Sequence, residues 1–65
     1  MRVRLNAFHK DSSASYSKLV DVESKEALAA EIKAFETEVL FPRFYTEHEN
    51  LDDNADVDKW IEELE

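Results

Sequence analysis

No glycine occurs in this 65-residue chain, and its single proline stands at position 42. Any tight turn that needs a positive φ must therefore use Asn, Asp or Ser, whose short polar side chains bond locally and tolerate that conformation. The same absence removes the glycine-rich phosphate loops of dinucleotide-binding and P-loop folds.

A chain of this length makes one domain, residues 1–65, with a thin core that buries about 60% of the unfolded surface. Hydrophobic residues are 43% of the total and include four Phe, two Tyr and one Trp, so folding is expected despite a net charge of −8. Cysteine is absent, which leaves neither a disulfide framework nor a thiolate metal site. No apolar run exceeds four residues, so neither a membrane span nor a signal-peptide core is expected, and the cytoplasm is the default compartment. An acidic balance disfavours nucleic acid and anionic lipid and favours basic protein partners. The expected state is a monomer without cofactor or metal.

Periodicity divides the chain into five segments. MRVRLNAF alternates, with Val3, Leu5 and Ala7 on one side and Arg2, Arg4 and Asn6 on the other, as a half-buried strand requires. KDSSAS is a polar turn, and YSKLVDV reads as a second strand, giving strands at about 1–9 and 16–22 joined as a hairpin. Ser24 is a good N-cap for a helix over about 25–38, and Glu26 suits its first turn. Leu28, Ile32, Phe35 and Val39 form its apolar stripe. LFPRFYT is aromatic-rich, but Pro42 cannot donate to a ladder, so 40–46 is expected to be an edge strand or extended segment. A last helix over about 54–64 follows from the spacing of Val57, Trp60, Ile61 and Leu64. The fold class is α+β: a hairpin or three-stranded antiparallel sheet packed on one main helix, with a short C-terminal amphipathic helix.

Charge is unevenly divided along this frame. Residues 1–20 carry four bases and one acid, and residues 21–46 carry three bases and six acids. Residues 47–65 carry nine acids and the single base Lys59. The basic strand end and the acidic C-terminal end thus differ in sign.

Several chemistries can be weighed against these residues. His9 and His48 are the only histidines, and neither lies in a nucleophile-elbow or zincin spacing, so no enzyme is expected. Asp52, Asn54, Asp56 and Glu63 fall at positions 1, 3, 5 and 12 of a calcium loop, but Val57 occupies the glycine position and Lys59 the central apolar one. A calcium-binding module is the third-ranked reading on that account. Phe41, Phe44, Tyr45 and Trp60 resemble a base-stacking set, yet Glu47 and Glu49 beside them are opposite in charge to a nucleic-acid groove.

The acidic surface is the leading candidate site. With Val57 at the centre of the last helix's apolar face, Asp56, Asp58, Glu62, Glu63 and Glu65 fill the exposed arc, interrupted only by Lys59. Lys59–Glu63 is the one favourable i,i+4 pair, and Asp58–Glu62 is repulsive. From Asp53 onward, six carboxylates over roughly 20 Å of helix give one charge per about 3.3 Å, against about 3.4 Å per phosphate along one DNA strand. The candidate partner-binding set is Glu47, Glu49, Asp52, Asp53, Asp56, Asp58, Glu62, Glu63 and Glu65, with Tyr45 as an anchor.

EHENLDDNAD and VDKWIEELE, scaffolded by VESKEALAAEIKAFETE, resemble small phage-encoded anti-CRISPR and antirestriction proteins of the DNA-mimic type. The likeness is one of size and charge over the C-terminal half, and the basic first segment departs from an all-over acidic mimic. It implies an inhibitor that blocks the DNA channel of a CRISPR effector complex, with these acids in place of phosphates. The alternative is an antitoxin or adaptor that docks its acidic helix on a basic partner.

Overall fold

The computed structural model describes residues 1–40 and 42–64. Strands β1 (Arg2–His9), β2 (Ser15–Asp21) and β3 (Phe44–Asn50) form one antiparallel sheet in the order β2-β1-β3, and helices α1 (Lys25–Glu38) and α2 (Ala55–Leu64) complete the chain. The class is therefore α+β with a three-stranded sheet.

Alternation along β1 decides which side of the sheet is covered. Val3, Leu5 and Ala7 are fully buried, whereas Arg2 and Arg4 are exposed. The buried side meets Leu28 and Phe35 of α1, Val57 of α2, and Val20, Val22 and Val39. Ile32, Trp60, Ile61 and Leu64 pack around this cluster half-buried. Both expected apolar stripes thus point inward. "One main helix" is too coarse a description, because α2 contributes fully buried Val57 to the same core. No described helix is long and apolar enough to cross a membrane.

The third strand is a correction. The segment 40–46 is expected from its aromatics, but the strand runs Phe44–Asn50. Leu40 adopts φ 57°, and the Arg43 amide donates to its carbonyl at 3.1 Å, so the chain turns where the strand was expected to begin. Pro42, with no N–H to offer, suits that turn better than a ladder. The polar stretch TEHEN then alternates, with Phe44, Thr46, His48 and Asn50 half-buried and Tyr45, Glu47 and Glu49 exposed. The first four residues of the acidic C-terminal end, 47–50, are therefore strand.

Turns are built without glycine in two ways. Between β1 and β2, side chains supply acceptors: His9 Nδ1 accepts from the Asp11 amide at 3.1 Å, and Ser12 Oγ from the Ala14 amide at 3.2 Å. Elsewhere the backbone enters the left-handed region, at Leu40 and at Asp53 with φ 51°. Asp53 fits the expectation for such positions, and Leu40 does not.

Candidate functional site

The site begins with how α2 is fixed. Asn54 caps it: its Oδ1 accepts from the Asp56 amide at 2.8 Å, satisfying a donor that the first turn would leave open. Asn50, at the end of β3, donates through Nδ2 to the Asn54 carbonyl at 2.7 Å and to Asp58 Oδ1 at 2.9 Å. On the other flank, Lys25 of α1 meets Glu63 at 2.9 Å. With Val57 in the core, these contacts hold the helix on both sides, so its charges sit on a fixed frame.

The candidate acids divide into three groups. The first consists of carboxylates already engaged by cations of the fold. Asp52 accepts from the Arg2 amide at 2.8 Å and from its Nε and Nη2 at 3.1 and 2.9 Å. Glu49 lies 3.2 Å from Arg4 Nη1, and Glu63 is held by Lys25 rather than by the expected Lys59. Backbone and guanidinium donors from Arg2 hold the Asp52 carboxyl below its ordinary value, and the Lys25 ammonium does the same for Glu63. These three acids contribute to cohesion as well as to surface charge.

The second group lies on the sheet side away from the helices. Strand alternation sends Glu47 and Glu49 to the face that carries Arg2, Arg4, Asn6 and Phe8, opposite to the side α2 covers. Tyr45 shares that face and stacks on Phe8, with ring centroids 5.3 Å apart. The expected single acidic surface is therefore split by the sheet.

The third group is Asp53, Asp56 and Glu62, exposed and with no cation within ion-pair distance among the described residues. Asp58 joins them on the helix, although one of its oxygens takes the Asn50 bond. Glu65, the last member of the expected set, lies outside the described residues. Lys59 stands between the two flanks of this arc without an ion pair among the described residues.

The calcium spacing does not converge in space. Asp52 is turned onto Arg2, Asn54 Oδ1 is used as the helix cap, and Glu63 bridges to Lys25. The histidines also have separate surroundings. His9 meets Phe44 edge-on at 5.1 Å, whereas both ring nitrogens of His48 are buried without a partner among the described residues. Spacing alone pointed to the helical acids. It missed Arg2 and Arg4 as their neutralising partners, because strand register and not proximity in sequence brings them together. Comparison with protein-family models, curated proteins and solved structures finds no match to this chain.

Proposed function

We propose that this protein is a non-enzymatic inhibitor that acts in the cytoplasm as a monomer. It presents Asp53, Asp56, Asp58 and Glu62 to the nucleic-acid channel of a CRISPR effector complex in place of DNA phosphates. The observation that carries the reading is the contrast between the acids. Glu49, Asp52 and Glu63 have cations of their own, while among the described residues Asp53, Asp56 and Glu62 have no ion-pair partner and Asp58 accepts only from Asn50, on or beside a helix anchored at both flanks. An anchored row of like charges is already paid for in repulsion by the fold, so a basic channel gains its full attraction with little ordering cost.

The split between helix and sheet narrows the mimic to α2 and the turn before it. Glu47 and Glu49 face the other way and do not extend the same phosphate row. At the helix, Asp58 and Glu62 lie one turn apart, and the i,i+4 spacing rises about 6 Å, close to two phosphate steps of a DNA strand.

Reconstituted effector complexes of single- and multi-subunit types test the reading by target-DNA capture. The protein, added at stoichiometric amounts, is expected to prevent capture by a susceptible complex and to be displaced by excess DNA. Its affinity should fall steeply as salt rises. If the complexes bind DNA and this protein together, the acidic helix is an adaptor surface and phosphate mimicry is wrong.

A further inference from the structure

The second acidic region, on β3, has a different geometry and leads elsewhere. In the order β2-β1-β3, this strand has a neighbouring strand on one side only among the described residues. The Leu51 amide donates to the Arg2 carbonyl and the Lys10 amide to the Arg43 carbonyl, both at 3.0 Å. Antiparallel ladders alternate, so the pairs of β1 and β3 in step with these, Arg4–Glu49, Asn6–Glu47 and Phe8–Tyr45, exchange the bonds between the strands. The amides and carbonyls of Phe44, Thr46 and His48 therefore point outward along the free edge. Among the described residues, no other backbone group is hydrogen-bonded to them. This is a row of donors and acceptors at strand spacing, the template that an added strand requires.

Charge selects what can occupy it. A second copy pairing through the same edge would bring Glu47 and Glu49 against their own equivalents, which is repulsive between neighbouring strands. A basic strand meets the opposite situation, and the fold already contains one example. On its inner side β3 is paired with β1, whose Arg4 meets Glu49 at 3.2 Å and whose Arg2 meets Asp52 just beyond the strand. Glu47 lies opposite Asn6 and has no cation among the described residues, so its carboxylate remains for a neighbour on the outer side. Across that outer edge Glu47 occupies a non-hydrogen-bonded position, where cross-strand side chains approach most closely. On the helix side, the Asn50–Asp58 bond ties one flank of α2 to β3, and Glu62 follows on that flank one turn later.

We propose that the free edge of β3 binds a basic extended segment of another protein as a fourth strand, with arginine or lysine beside Glu47. The backbone of Phe44, Thr46 and His48 supplies the pairing, and the acids on either side supply the selection. Glu47 and the edge backbone lie apart from the outer arc of α2, whereas Asp58 and Glu62 are shared with it, so Glu47→Lys tests this edge without touching the proposed mimic.

A blocked heptapeptide alternating arginine and valine is the probe, followed by amide exchange and chemical shifts on the full chain. In the free protein the Thr46 and His48 amides should exchange faster than those of Tyr45 and Glu47, which bond to β1. Saturating peptide should slow exchange at Thr46 and His48 by at least about tenfold, as a new ladder protects them. Glu47→Lys should weaken the peptide about tenfold or more while leaving the melting temperature close to that of the parent. Replacing the arginines of the peptide by glutamate should abolish binding. Unchanged exchange at Thr46 and His48 under bound peptide would mean charge attraction without strand addition and would overturn the proposal. So would full affinity in Glu47→Lys, or no binding at millimolar peptide.

Discussion

Leu40 adopts φ 57° directly after the Val39 cap of α1, at a place where helices commonly end on glycine. A β-carbon there costs roughly 1–2 kcal/mol, and leucine has no polar side chain to offset it. Its side chain is 66% exposed, so burial returns little. Leu40→Gly relieves that strain and loses about 0.4–1 kcal/mol to a more flexible unfolded chain, leaving an expected gain of up to about 1.6 kcal/mol in urea unfolding. A loss of stability would show that the leucine side chain has a packing role outweighing the strain. His48 offers a second residue-scale test. Its ring nitrogens are buried and unpartnered among the described residues, and a stranded polar group costs about 1–3 kcal/mol where an apolar one of like shape does not. His48→Phe is expected to raise stability by about 1 kcal/mol on the same measurement. Neither feature was legible beforehand. Absent glycine announced that some residue must take positive φ, but which one depended on where Pro42 and the core placed the turn.

At the scale of elements, hydrophobic spacing read well wherever burial was one-sided and apolar. Val3, Leu5 and Ala7 against the arginines gave β1, and Leu28 and Phe35, with Val39 at the C-cap, gave the inward side of α1. The same reasoning placed the third strand too early because its inner side is Phe44, Thr46, His48 and Asn50, mostly polar and half-buried. Alternation of polar with charged residues carries no hydrophobic signal, so residues 47–50 give no sign of a strand in the sequence. Asn50 and Asn54 show what those polar residues accomplish instead: one ties the end of β3 to α2, and the other caps the helix. Asn54→Ala removes the cap and should cost about 1 kcal/mol, read as a lower urea midpoint together with fraying of α2 by amide exchange. Equal protection of the first turn in that variant would show that the Asn50 contacts hold the helix start unaided.

For the whole molecule, the balance of charge sets both stability and the proposed activity. Asp52 and Glu63 have folded pKa values below their ordinary 3.8 and 4.5, so their contribution is fully present above those values. As pH falls, the unfolded chain takes up these protons first, and the contribution is lost as pH passes through the lowered folded values. Asp52→Asn should accordingly be less stable than the parent at pH 7, and the difference should shrink by pH 3. A constant difference across that range would remove the Arg2–Asp52 bridge as its cause. Spacing put Asp56, Asp58 and Glu62 on one helix, and α2 carries all three, with Asp53 in the turn before it. The division of the remainder between Arg2, Arg4, Lys25 and the far side of the sheet depended on strand register, which spacing does not encode. The most direct test of the inhibitor account combines Asp53→Asn, Asp56→Lys and Glu62→Lys, which leave Asp52, Asp58 and Glu63 in their structural contacts. Target-DNA capture by a susceptible effector complex is measured with this variant and with the parent, alongside thermal melts of both. The account predicts a folded variant that no longer blocks capture, and a folded variant that blocks it as well as the parent would contradict it.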